Sequence, residues 1–344
     1  MNTPQCRNVP AAGAPLHVLF GQPRFSGEIG WDAVTAHWPS DLAARTTVEA
    51  VEHHALTERL TGGGRQPDVV VPVVSALTAP ALRCSTFGLV QQFGVGVDAI
   101  DVEAATAAGV WVANMPGLNA PHVAEHALAL LLALAKRLPE AADGFAPGRW
   151  GSPGARSLRG SRAVVVGTGA VGGATARLLA AFGVDLVGVR RRPEAEPPVP
   201  GMRTYGVGEL HAALRGADVV VLAATPVSGA PPLLDAAALG VLAPGALVVN
   251  VARGAVLDEA AAFAALRTGH LGGLGLDVFT REPYPADGPL RQHPRVVATA
   301  HTAALTSGYF ADAARQLGEA VARHVAGRPP LHPVNSPRPV TSLG

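Results

Sequence analysis

Cysteine is nearly absent: Cys6 and Cys84 are the only two in 344 residues. That is too few for a disulfide framework, and neither has metal-ligand spacing around it. Charge is sparse as well, at 15% of residues with a formal net charge of +1. No block of like charge is longer than Arg190, Arg191 and Arg192, so the footprint of a nucleic-acid or membrane-surface binder is missing. Long apolar runs are lacking too. The longest, residues 127–135, falls far short of the ~18 residues that span a membrane. The first 30 residues hold no apolar stretch longer than residues 16–20, which is not a secretory signal. These absences lead to the expectation of a soluble cytoplasmic protein with no metal centre. What is plentiful is apolar side chain, at 48%, enough for a large core in about two domains.

After an extension over residues 1–15 rich in Pro, Ala and Gly, short β-type runs alternate with helical ones. Strands are expected at 16–20, 68–74, 89–93 and 110–113. A helix over 101–108 starts at a capping Asp101 and ends before Gly109. A long helix follows over 121–138, with Pro121 at the tolerated first turn. Residues 146–160, broken by Gly and Pro, read as a connection. Beyond it come strands at 163–166, 186–189, 218–223, 246–251 and 274–278. Each is a continuous apolar run rather than an in/out alternation, as parallel strands covered on both faces require. The expected fold class is therefore α/β, with two doubly wound parallel-sheet units joined by the long helix.

"VVVGTGAVGGATARLL" sets Gly167, Gly169 and Gly172 directly after a strand and at the mouth of a helix. In a dinucleotide turn the first glycine permits the tight turn. The second lets backbone approach a pyrophosphate, and the third lets helix pack on strand. The helix N-terminus offers its unpaired N–H groups to the anion. A ribose-binding acid should end the next strand, but Arg190 stands there, followed by Arg191 and Arg192. Arginine at this place favours a 2′-phosphate, so NADP(H) is expected ahead of NAD(H), with NAD(H) still possible. A solvated basic loop with no preference is the alternative.

Three further strand ends carry chemistry. "VVNVARGAV" runs apolar residues up to a single cation, Arg253. "GLDVFTREP" ends a strand at Asp277 and carries Glu282 five residues later. "VVATAHTAAL" ends a β-type run at His301. Carboxyl ends of strands in open α/β sheets face the ligand crevice. A guanidinium there can grip a carboxylate with two prongs and polarise a carbonyl. A histidine oriented by a carboxylate suits a proton donor. Singly, Arg253 reads equally as a structural ion pair, and His301 as a satisfied core histidine.

Together with "FGVGVDAID" (93–101), "NMPGLNAPHVAEHALALLLAL" (114–134), "NVARGAVLDE" (250–259) and "AHTAAL" (300–305), these motifs give a chain that resembles the D-isomer-specific 2-hydroxyacid dehydrogenases, glyoxylate and hydroxypyruvate reductases among them. The resemblance implies a Rossmann-type cofactor domain, residues 117–302, inserted into a flavodoxin-like substrate domain, residues 1–116 plus 303–344. It implies roles for residues as well. Arg253 would bind the substrate carboxylate and polarise the keto group. His301 would exchange the proton, with Glu282 behind it. Asp277 would meet the nicotinamide carboxamide. Backbone N–H groups of Val95 and Gly96 would receive the carboxylate. Ala170 and Val171 would cover the pyrophosphate, while Thr225, Pro226, Val251 and Ala252 would line the nucleotide. The implied reaction is reduction of a small 2-keto acid to the (R)-2-hydroxy acid, or the reverse, by a homodimer.

The chain departs from the family pattern at Ala300, where a proline usually precedes the histidine, at Ala304, where glycine is usual, and at Pro231, where a threonine is common. These departures bear on loop geometry. Glu282 speaks against the formate dehydrogenase branch, in which a glutamine backs the histidine. His122 and His126 read as capping or interface residues, Trp150 as a packing anchor and Cys84 as a core residue. Specificity is expected in the loops of residues 20–80 and near Tyr309 and Phe310. The rival readings are a nucleotide-sensing binding module on a dehydrogenase fold, as in the related corepressors, and a family member with an unusual donor such as phosphite.

Overall fold

The computed structural model describes residues 9–10, 13–22, 29–148, 150–151, 154–227 and 229–337. Its chain divides into two units, Met1–Asn119 with Leu305–Gly344, and Ala120–Ala304. Most of the extension read over residues 1–15 lies outside the described residues.

In the first unit five parallel strands alternate with short helices: β1 (Leu16–Phe20), α1 (Ser40–Ala43), β2 (Thr46–Ala50), α2 (Leu56–Thr61), β3 (Val69–Val71), α3 (Ala79–Arg83), β4 (Leu89–Gln91), α4 (Val102–Ala107) and β5 (Trp111–Ala113). Their order is β2-β1-β3-β4-β5, the flavodoxin-like arrangement. Asp101 caps α4 by accepting the Ala104 N–H, as its sequence position suggests. The apolar runs at 68–74 and 89–93 form strands of three residues only. The ladder ends where the backbone turns, with Ser75 N–H donating to Pro72 O. Strand β2, TTVEA, went unread because its half-buried edge position needs no apolar run.

The second unit opens with α5 (Ala120–Lys136). Arg137 then adopts a left-handed conformation and the chain restarts as α6 (Leu138–Phe145). The long helix is therefore two, broken where Pro139 requires it. A seven-stranded parallel sheet follows: β6 (Arg162–Val166), α7 (Ala170–Ala180), β7 (Asp185–Val189), β8 (Arg203–Tyr205), α8 (Leu210–Leu214), β9 (Val219–Leu222), α9 (Ala236–Gly240), β10 (Ala246–Asn250), α10 (Glu259–Thr268), β11 (Leu271–Leu276) and β12 (Val296–Ala298). The order is β12-β11-β10-β9-β6-β7-β8.

Why the strands are continuously apolar is visible in their side chains. Val164, Val166, Val220, Leu222 and Val248 enter one core. Their neighbours Ala163, Val165, Val219, Val221 and Val249 enter another, on the opposite face, with Leu130 and Leu134 of α5. Each fully buried valine contributes ~1.5–3 kcal/mol relative to an exposed one, so a polar residue on either face would be costly.

The last helix, α11 (Ser307–Val325), returns to the first unit. It buries Tyr309, Phe310, Leu317 and Val321 and accepts the Trp38 indole N–H at Ala314 O, 2.9 Å away. Tyr309 and Phe310 are both buried. Two expectations are corrected. Cys84 is exposed at the end of α3, and Trp150 is 95% exposed rather than packed against the described residues. No helix among the described residues is long and apolar enough to cross a membrane.

Candidate active site

Parallel topology brings residues distant in sequence to one edge of the seven-stranded sheet. Strands β10, β11 and β12 are neighbours, with Asn250, Leu276 and Ala298 in register. Arg253 stands three residues past Asn250, Asp277 one past Leu276, and His301 three past Ala298. All three lie on carboxyl-end loops of adjacent strands. Thr225 and Pro226 follow β9 on the same edge, and the glycine turn follows β6. The strand order reverses between β6 and β9, which opens the ligand crevice of such sheets.

The three glycines of the turn differ in kind. Gly167 has φ of +90° and lies against the Ala224 backbone. A Cβ on Gly172 would strike the carbonyl oxygen of Gly167. Both are therefore required by the fold itself. Gly169 is not: its φ of −72° suits any residue, and a Cβ there meets nothing within 4 Å. An exposed turn with no internal need of glycine, at the mouth of α7, fits a group that approaches from outside. Beside it the buried Thr168 hydroxyl has no hydrogen-bond partner among the described residues. Both features fit a dinucleotide phosphate at this turn. Ala170 is exposed and Val171 half-buried at the start of α7, while Val251 and Ala252 are buried under the β10 loop.

Past β7, Arg190 Nη1 donates to Glu196 O at 2.9 Å and reaches Ala195 O at 3.5 Å. The first arginine therefore shapes the loop that Arg191 and Arg192, both exposed, project from.

Arg253 is framed by a residue the sequence reading passed over. Asn250 is fully buried; its Oδ1 accepts the Ala252 N–H and its Nδ2 donates to Arg253 O, both at 3.0 Å. A buried amide at the end of an apolar strand is expensive unless both its ends are paired. The "VVN" run could have flagged it. Arg253 Nη1 donates to Ala252 O at 2.8 Å. Behind it, Gly254 lies so close to the Phe279–Thr280 peptide that no side chain fits. This contact joins the Arg253 loop to the loop carrying Glu282.

His301 Nδ1 and Glu282 Oε2 are 2.8 Å apart, with side chains 50% and 37% exposed. Glu282 Oε1 accepts the Phe279 N–H at 2.9 Å, so the carboxylate is oriented before it orients the imidazole. With Nδ1 engaged, Nε2 is the ring nitrogen left to face a ligand. A cavity of about 350 Å³ opens beside the pair, lined also by Phe279, Tyr284 and Leu290.

Asp277 is 2% exposed and heavily used. Its Oδ1 accepts the Thr299 hydroxyl at 2.7 Å and the Thr302 N–H at 2.8 Å, and its Oδ2 accepts the Ala303 N–H at 3.1 Å. His126, on α5, places Nε2 2.8 Å from the Thr299 hydroxyl. Neither Thr299 nor His126 was singled out for this site from sequence. They are 173 residues apart in the chain, and only the fold makes them adjacent.

In the first unit Val95 and Gly96 occupy the bend after β4. The Phe93, Gly94 and Val95 carbonyls are taken by the Tyr309 hydroxyl, the Met115 N–H and the Asn114 amide. Burial pushes the Tyr309 phenol up, so it remains a neutral donor to Phe93.

Residues 128–303 match the family profile described as D-isomer specific 2-hydroxyacid dehydrogenase, NAD binding domain, which supports a nicotinamide cofactor. The chain is 37% identical over 255 residues to D-3-phosphoglycerate dehydrogenase of Mycobacterium tuberculosis, covering 72% of this chain and 46% of that protein. It therefore spans about half the length of that relative. It is 31% identical over 245 residues to glyoxylate reductase of Thermofilum pendens, covering 69% of this chain and 70% of that one. Among solved structures it is similar to an NADPH-dependent glyoxylate/hydroxypyruvate reductase from Sinorhizobium meliloti, with a TM-score of 0.75 and 26% identity over 93% of this chain and 97% of that chain.

Proposed function

The chain belongs to the D-isomer specific 2-hydroxyacid dehydrogenase family, and on that footing we propose that it interconverts a small 2-keto acid and its (R)-2-hydroxy acid with NADP(H) ahead of NAD(H). The observation that carries this reading is the His301–Glu282 pair at 2.8 Å, on the strand-end row that also holds Arg253. A proton donor and a carboxylate anchor on one sheet edge are what carbonyl reduction needs.

When bound, the nicotinamide supplies or takes the hydride at the substrate's C2. Arg253 grips the substrate carboxylate and draws charge toward the keto oxygen. His301 delivers the proton from Nε2 to that oxygen, leaving a neutral hydroxyl. In the oxidative direction the same nitrogen takes the proton back. Glu282 holds the ring so that Nε2 keeps its aim. Gly167, Gly169 and Gly172 with Ala170 and Val171 hold the pyrophosphate. Thr225, Pro226, Val251, Ala252 and Asp277 line the rest of the nucleotide. Arg191 and Arg192 meet the 2′-phosphate, with Arg190 bracing their loop. Glyoxylate and hydroxypyruvate are the favoured substrates, supported by the names of two relatives. A homodimer belongs to the same proposal. It is supported by Leu138 and Phe145 on α6 and by Trp150 beyond it, apolar side chains left exposed.

The test is nicotinamide absorbance with purified protein and a panel of 2-keto acids, run in parallel with NADPH and NADH, with D-3-phosphoglycerate in the oxidative direction. Oxidation of NADPH with glyoxylate or hydroxypyruvate is the expected result. Silence across the panel with nucleotide still bound would replace this reading with a binding module or an unusual donor.

A further inference from the structure

His301 has φ of +56°, the left-handed region that side chains other than glycine's rarely occupy. A residue keeps such a conformation only when its surroundings over-determine it. Here the backbone is held by one residue, while Glu282 holds the ring. Asp277 accepts three consecutive backbone N–H groups: that of His301 at its carbonyl, 2.7 Å away, and those of Thr302 and Ala303 at its carboxylate.

The direction of the remaining bonds follows from proton count. An ionised carboxylate only accepts, so the single proton of the Thr299 hydroxyl lies toward Asp277 Oδ1. The hydroxyl oxygen must then accept from His126, whose Nε2 carries a proton. His126 thus reaches from α5, through Thr299, to the carboxylate that holds the His301 loop. Its Nε2 is also 3.7 Å from Asp277 Oδ1 directly.

We propose that His126, acting through Thr299 and Asp277, is a positioning residue for the catalytic imidazole of His301. This inference rests on the reading of His301 as proton donor. With His126 donating, Thr299 has one hydroxyl orientation, and Asp277 has one carboxylate orientation that serves Thr302 and Ala303 at once. Remove the donor and the Thr299 proton is free to turn away, leaving Asp277 Oδ1 short of one partner. The loop then samples other backbone conformations, and the His301 ring leaves Glu282. The departures Ala300 and Ala304 lie at the two ends of this clamped loop.

Two pairs of variants test it. His126→Leu and Thr299→Val remove the donor and the hydroxyl at nearly constant volume, while His126→Gln and Thr299→Ser keep them. The first readout is amide hydrogen exchange on the protein without cofactor. Exchange at Thr302 and Ala303 is expected to rise at least tenfold in the first pair, to stay at the wild-type rate in the second, and to be unchanged in β6 in all four. The second readout is steady-state kinetics, in which kcat for the keto acid falls about tenfold in the first pair with KM for NADPH unchanged. Exchange at wild-type rate in His126→Leu would overturn the proposal. So would faster exchange with unaltered kcat, because the clamp would then serve folding alone. The reading it rests on fails separately: full turnover by His301→Gln would remove the proton donor while leaving the exchange result intact.

Discussion

Gly169 and Arg253 ask opposite things of a single substitution. An added Cβ at Gly169 meets no neighbour, so Gly169→Ala is expected to unfold within ~0.5 kcal/mol of wild type. Its NADPH affinity, read by fluorescence titration, falls at least tenfold, or ~1.4 kcal/mol. A loss of stability instead would mean that the glycine serves the fold. Arg253→Ala works through the reaction: the loss of an electrostatic anchor costs ~100-fold or more in kcat/KM, measured on the keto acid that proves best. Residues of this type were legible because their chemistry stands out against the sequence around them, a cation after an apolar strand or glycines after one. Thr299 and His126 were not. Their roles come from hydrogen bonds with residues on other elements, and no spacing in the chain announces those.

At the scale of elements, two loops are joined where Gly254 meets the Phe279–Thr280 peptide, and Thr280 N–H is held by Glu259 at the start of α10. Gly254→Ala is therefore expected to displace the Glu282 loop, lowering kcat while leaving nucleotide affinity within twofold. Saturation kinetics beside a binding titration would separate the two. The edge strand β2 offers a prediction in pH. Arg59 beside Glu49, with His17 behind it, holds the Glu49 carboxyl below the usual carboxylate range. A carboxyl whose folded pKa is depressed contributes stability above its unfolded value, about 4.5, and loses it as pH falls through the lower folded value. Denaturant midpoints should therefore fall below pH 4.5 more steeply in wild type than in Glu49→Gln. The strands buried on both faces could be read as apolar runs. Edge strands β2, TTVEA, and β8, RTY, could not, because half-buried positions tolerate polar side chains. Strand β11 starts three residues before its apolar run, because Gly272 and Gly273 interrupt the pattern there.

For the whole molecule, nucleotide should act as a stabiliser. A ligand at one hundred times its Kd adds ~2.7 kcal/mol to the state that binds it, so calorimetry with NADPH should show a raised transition. Replacing Arg191 and Arg192 together by alanine is expected to shrink that rise with NADPH and to leave it unchanged with NADH. An equal loss with both nucleotides would make the pair a general phosphate contact.

The first unit is closed by a helix that comes last. Trp31 stacks on Phe20 at 4.3 Å and meets Phe93 at 5.0 Å, but its third aromatic neighbour is Phe310 of α11. Between Asn119 and Leu305 the ribosome must make the entire second unit. At ~5–20 residues per second that takes roughly ten to forty seconds. During that interval an aromatic seat stands open on a nascent chain whose second unit is still gaining its strands. Slower translation lengthens that exposure. Expression yield should therefore depend on how fast residues 120–304 are made as much as on the stability of the finished fold.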